Sequence, residues 1–149
     1  VRKAVGSDRR IGNSFLFPGV GYGGSCFPKD VKALVKSSAD RGYDFRILRS
    51  VEEVNARQKS KLVSRMEDHF GSLAGRTVAV WGLAFKPKTD DMREAPAIVI
   101  IDGLLSRGVS VRAYDPEAAH QARRIFGDRI TICDTSYETL GGADALAAR

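Results

Sequence analysis

The chain has little of several things that would narrow its function quickly. Its 149 residues include two cysteines, two histidines, two methionines and one tryptophan. Two cysteines rule out a disulfide-dense scaffold. Cys26 and Cys133 are not expected to pair, because Cys133 closes the strand pattern Ile130-Thr131-Ile132-Cys133 and Cys26 stands in a loop with a chemical rationale of its own. His69 and His120 each fall in a helical pattern far from Cys26 in sequence, so neither metal-ligand spacing nor a Cys-His hydrolase pair is present. No apolar run approaches membrane-spanning length, and Val1-Arg2-Lys3-Ala4-Val5 is not followed by a signal-peptide core. A cytoplasmic chain with reduced thiols and no membrane partner is expected. No repeat or low-complexity segment occurs. The run from Gly19 to Gly24 has glycines but no buried strand before it, so it does not read as the Gly-x-Gly-x-x-Gly turn of a dinucleotide-binding domain.

A hydrophobic content of 43% is enough to bury one sizeable core. Lys and Arg total 24 against 18 Asp and Glu, and the net charge of +6 suits anionic ligands. The basic residues are dispersed among acidic ones, with no aromatic-interleaved basic stripe, which argues against nucleic acid.

The most informative stretch is Phe17-Pro18-Gly19-Val20-Gly21-Tyr22-Gly23-Gly24-Ser25-Cys26-Phe27-Pro28-Lys29-Asp30. Proline favours the first helical turn, so Cys26 is predicted at or just before a helix N-terminus. The partial positive charge there, with Lys29 three residues on, favours thiolate over thiol. Glycines 19, 21, 23 and 24 admit close backbone approach to a ligand. Cysteine in such a loop points to a catalytic thiol rather than a small buried hydrophobe. Asp30, four residues from Cys26, falls on the same helical face.

Val31, Leu34, Val35 and Ala39 fall at helical spacing, and Gly42 ends that helix. A longer helix follows, with Ile47, Val51, Val54, Leu62, Met66 and Phe70 along it and Gly71 closing it. These stripes are expected to be core. From Arg76 onward the pattern changes: strand Thr77 to Trp81, helix from about Ala95 to Ser106, strand Val109 to Tyr114, helix to about Phe126, strand Ile130 to Cys133. Thr135-x-x-Glu138 reads as a capping box for a last short helix. Alternating strands and helices predict an α/β fold: a helical segment over residues 1–72, then over 73–149 a Rossmann-like parallel sheet with helices on both faces, the boundary at Gly71 to Gly75. Ala143-Asp144-Ala145-Leu146 reads as entry into a buried strand, but Ala147-Ala148-Arg149 supplies no β-branched run to finish it. A truncated sheet, an unpaired edge beside the Ile130 strand and a chain that is a piece of a larger enzyme are expected.

The loop after Trp81-Gly82 lies where a doubly wound sheet places its ligand, and Lys86, Lys88 and Arg93 bring positive charge to it. Lys88 is read as a surface charge. Asp90 and Asp91 are expected to cap the coming helix and orient the loop, and Asp115, before Pro116, to cap a helix rather than hold a ribose.

Two long segments carry a family resemblance. Val1 to about Ala39, with Arg10-Ile11-Gly12, Phe15-Leu16-Phe17-Pro18-Gly19 and the cysteine loop, resembles the active-site region of the UDP-glucose 6-dehydrogenases. Trp81-Gly82-Leu83-Ala84-Phe85-Lys86-Pro87-Lys88-Thr89-Asp90-Asp91-Met92-Arg93-Glu94-Ala95-Pro96 resembles the nucleotide-sugar half of that family. The resemblance implies NAD as cofactor and UDP-glucose as substrate, oxidised twice to UDP-glucuronate through a Cys26 thiohemiacetal and thioester. By the same resemblance Asp30 helps activate water and Lys29 and Arg93 contact NAD. Phe15, Leu16, Phe17, Pro18, Gly19 and Gly23 surround the sugar and its diphosphate, and Lys86 contacts the nucleotide sugar. Arg10 resembles an arginine that reaches a neighbouring subunit's substrate, implying a homo-oligomer. The family's dinucleotide-binding domain is expected ahead of Val1, and so, separately, are a further catalytic lysine and asparagine. GDP-mannose and UDP-N-acetylmannosamine dehydrogenases share the chemistry and stay open as alternatives. So does a nucleotide-sugar-binding fragment without turnover.

Overall fold

Local rules set the helices. A computed structural model describes residues 1–14, 16–17 and 19–148. Phe15 and Pro18, expected around the sugar, lie outside the described residues. After the short α1 (Arg2–Gly6), α2 (Phe27–Ala39) starts where Pro28 fits its first turn, and Gly42 at φ 74° turns the chain behind it. The long α3 (Arg46–Phe70) ends at Gly71, also left-handed at φ 72°. Its buried face is Asn55, Lys59, Val63 and Met66. That corrects the sequence reading: Ile47 and Val54 are 73% and 54% exposed, and Leu34 of α2 is 50% exposed, so the first half of the stripe is not core.

Strand β1 (Thr77–Trp81), helix α4 (Pro96–Leu105), strand β2 (Ser110–Tyr114), helix α5 (Ala119–Phe126), strand β3 (Thr131–Ile132) and strand β4 (Ala145–Ala148) build a four-stranded parallel sheet in the order β3-β2-β1-β4. Right-handed crossovers put α4 and α5 on one face. Register fixes what that face contains: Val78 pairs with Val111 and Val80 with Ala113, and all four join Ile100, Ile101, Leu104 and Phe126 in the core. The alternate residues Trp81 and Arg112 face a 3-10 helix (Tyr137–Leu140), where Trp81 Nε1 donates to Thr139 Oγ1 at 2.7 Å and Arg112 to the Glu138 carbonyl at 2.8 Å. Helices therefore cover both faces, the second by 3-10 rather than α geometry. The capping box is half realised: Glu138 N–H donates to Thr135 Oγ1, but the Glu138 carboxylate reaches back to Asp134 N–H instead of Thr135.

Ala147 and Ala148 do finish a strand, contrary to their low propensity. Pairing with β1 (Val78 to Ala145, Val80 to Ala147) supplies the ladder bonds, and the small Ala147 side chain is buried in the core. Helix α3 packs on α4, and Gly103 permits the approach: a methyl group there would sit 3.3 Å from Val63 Cγ2. No helix among the described residues is long and apolar enough to cross a membrane.

Candidate active site

Cys26 is the residue immediately before α2 and is exposed. Its carbonyl accepts the Asp30 N–H at 2.9 Å, closing the first helical turn, and Ser25 Oγ lies 3.6 Å from its sulfur. The sulfur therefore stands in the open at the positive end of a 13-residue helix, as the sequence predicts. Lys29 and Asp30 on the same turn are both exposed and pair at 3.3 Å. Cys133 is the opposite kind of thiol: it is buried, burial pushes it up, and both cysteines are free.

Gly23 and Gly24 serve packing against the second half of the chain. A methyl group on Gly23 would overlap the Glu94 carbonyl, and one on Gly24 would lie 2.9 Å from the Phe85 ring. Gly24 N–H donates to the Arg93 carbonyl at 2.8 Å. The cysteine loop is thus seated on the loop that follows β1. Tyr22 completes the seat: its hydroxyl donates to Glu52, and burial, with that carboxylate, pushes the phenol up to about 12. Gly23→Ala is expected to destabilise the protein by about 2 kcal/mol through overpacking against backbone. A urea midpoint equal to that of the parent would contradict this seating.

Beside the seat opens a cleft of about 590 Å³ lined by Phe17, Gly19, Gly82, Lys86, Lys88 and Asp115, among others. It lies beyond the carboxyl end of β1, where this topology places ligands. Of the expected substrate contacts, Phe17, Gly19 and Lys86 meet here. Leu16 and Gly23 do not line it, and Arg10 is turned onto Asp8 at 2.7 Å on the exposed surface. Lys88, read from sequence as surface charge, lines the cleft from a left-handed backbone position at φ 61°.

Asp91 orients the loop, accepting from Arg93 N–H, Nε and Nη2; the Arg93 side chain holds its carboxyl below the usual range. Neither Asp90 nor Asp91 caps α4, however, whose N-cap is Ala95 without a side-chain bond. Asp115 does brace the turn into α5, accepting from Glu117 and Ala118 N–H through Oδ1. Its second oxygen, unforeseen from sequence, accepts from Leu83 and Ala84 N–H at 2.7 and 3.1 Å and so floors the cleft. Burial pushes this carboxyl up, but the four backbone donors outweigh it and the net direction is down. Sequence reading also missed Asn55 and Lys59, buried polar residues on α3; the signal was the interruption of the apolar stripe between Val54 and Leu62.

The profile of the central domain of the UDP-glucose/GDP-mannose dehydrogenase family matches residues 1–57, and that of its UDP binding domain matches residues 79–148. The chain belongs to the UDP-glucose/GDP-mannose dehydrogenase family. It is 53% identical to a UDP-glucose 6-dehydrogenase of Pseudomonas aeruginosa over 98% of this chain and 34% of that protein. It is 45% identical to UDP-glucose 6-dehydrogenase YwqF of Bacillus subtilis over 98% and 33%. The solved UDP-glucose dehydrogenase of Pyrobaculum islandicum superposes with a TM-score of 0.91 at 38% identity, over 99% of this chain and 34% of that one. A GDP-mannose dehydrogenase from Pseudomonas aeruginosa gives 0.78 at 26% identity, over 93% and 33%. The chain spans about a third of the length of the curated relatives it matches.

Proposed function

We propose that this chain supplies the thiol and the sugar-nucleotide cleft of an NAD-dependent UDP-glucose 6-dehydrogenase. The observation that carries the reading is an exposed Cys26 at a helix N-terminus whose loop is seated on the loop walling the Lys86 and Lys88 cleft. The higher identity to proteins named for UDP-glucose than to the GDP-mannose enzyme favours UDP-glucose as substrate.

Lys86 and Lys88, both cations lining the cleft, would meet the diphosphate. Lys29 and Arg93 are exposed cations near Cys26 and fit the anionic, amide-bearing surface of NAD, so these two residues would hold it. When bound, NAD supplies the acceptor for both hydrides. The chain's own groups do the rest. Cys26 sulfur bonds to the carbon of the intermediate aldehyde, giving a thiohemiacetal, and oxidation of that adduct leaves a thioester. Asp30 takes a proton from the attacking water as the C–S bond breaks, releasing the carboxylate and the thiol. Free Cys26 and Cys133 suit a reducing compartment and support a cytoplasmic reading. The exposed Ile47, Val54 and Phe17 along an open apolar groove support a homo-oligomer.

Assay of the full-length protein with UDP-glucose is expected to yield two reduced NAD per UDP-glucuronate. The 149-residue chain alone, in which no glycine turn among the described residues follows a strand in dinucleotide-binding fashion, is expected to bind UDP-glucose without turnover. Preferred turnover of GDP-mannose would overturn the substrate assignment, and sustained cofactor reduction by the chain alone would overturn the division of labour.

A further inference from the structure

We propose that Asn55 and Lys59 of α3 are positioning residues for Cys26, holding the cysteine loop and the Arg93-Glu94 loop in one register; this rests on the role given to Cys26 above. The two side chains lie one helical turn apart and so share a face. They are 9% and 7% exposed although both are polar. Asn55 grips the cysteine loop: its Oδ1 accepts Tyr22 N–H at 2.8 Å and its Nδ2 donates to the Tyr22 carbonyl at 3.3 Å. Lys59 grips the opposite loop, its Nζ donating to the Glu94 carbonyl at 3.1 Å and lying 3.8 Å from the Glu94 carboxylate. Gly21, left-handed at φ 110°, lies across both, and a methyl group there would be 2.8 Å from Asn55 Oδ1 and from Lys59 Cγ.

A buried ammonium is an unfavourable choice for stability alone, since an apolar residue of similar volume in such a place is often neutral or better. What Lys59 does is hold Glu94 in a left-handed conformation, φ 52°, that non-glycine residues avoid. The Lys32–Glu94 pair at 2.9 Å steadies the same residue from α2. The carbonyl Lys59 holds is the surface on which Gly23 rests, and the preceding carbonyl, of Arg93, takes the Gly24 N–H. The path from Lys59 through Glu94 and Gly23-Gly24 ends two residues from the sulfur. Asn55 and Lys59 touch the thiol nowhere, so they act through the loop.

In the full-length protein, Lys59→Met is expected to lower kcat for acid formation about a hundredfold while KM for UDP-glucose stays within about twofold, with Lys59→Arg restoring most of the rate. Native-state hydrogen exchange at the Gly24 amide is expected to quicken at least about tenfold while the Val80 amide in the sheet stays protected. An unchanged kcat, or unchanged Gly24 exchange in a folded variant, overturns the proposal. A Lys59→Met protein that loses Val80 protection has lost its fold, and Asn55→Asp then decides the matter. That variant keeps the side-chain volume but replaces the Nδ2 donor with a carboxylate oxygen that opposes the Tyr22 carbonyl, so the grip on the cysteine loop is lost: a fall in kcat at constant KM supports the proposal, and parental kcat overturns it. Exchange is read without turnover, which separates the two failures. If Cys26 is not the nucleophile, Cys26→Ser stays active whatever the exchange shows; if the clamp is wrong, Cys26→Ser is inactive and Lys59→Met is unimpaired.

Discussion

Replacing Cys26 with serine is expected to cut acid formation by roughly a thousandfold or more and to leave UDP-glucose affinity within about twofold. The asymmetry follows from geometry. Cys26 stands at the exposed end of α2, and the cleft that would take the diphosphate is lined by Phe17, Gly19, Lys86 and Lys88 without it. A serine hydroxyl fits the same space, so the loop keeps its hydrogen bond from Gly24 to Arg93. It does not ionise near neutral pH, however, and its ester hydrolyses less readily than a thioester, so both covalent steps suffer. Calorimetric titration with UDP-glucose and a glucuronate assay read the two halves of this prediction separately. Parental yields of glucuronate would remove the thiol from the mechanism.

Asp115→Asn is expected to destabilise the protein by about 3 kcal/mol, because a buried carboxylate accepting from four backbone N–H groups becomes an amide with only one accepting oxygen. Two donors, those of the turn into α5 or those of Leu83 and Ala84 at the cleft floor, then face an NH₂ group. The effect carries a pH signature. The folded-state value of Asp115 is lowered, so its contribution is fully present above the ordinary carboxylate range, about pH 4, and is lost as pH falls through the lowered value. The difference between parent and variant, read as urea unfolding free energy, should therefore be largest near neutral pH and shrink below about pH 4. A difference that grows on acidification would contradict the bonding described here. Because Asp115 ties the loop after β1 to the turn after β2, the variant should also bind UDP-glucose more weakly even where it remains folded.

Reading from sequence succeeded where a rule acts over a few residues. Pro28 and its fixed φ place a helix start beside Cys26, glycines 42 and 71 stop two helices, and alternation from Thr77 onward gives the βαβ order whose right-handed crossovers follow from chain chirality. Those rules sufficed to put the thiol at an open helix end and a cleft-lining loop after Trp81. Tertiary structure alone decided the rest, since each remaining feature depends on partners far along the chain. Ile47 and Val54 repeat like core residues yet remain exposed, for periodicity defines a face without saying whether anything covers it. Ala145 to Ala148 become a strand through the ladder that β1 offers 67 positions earlier, at Val78 opposite Ala145. Lys88 lines the cleft because the fold brings its exposed loop beside Phe17 and Gly19, while Asn55 and Lys59 hold loops 33 and 35 residues away, since burying a polar side chain is tolerable only where folding brings its hydrogen-bond partner to it.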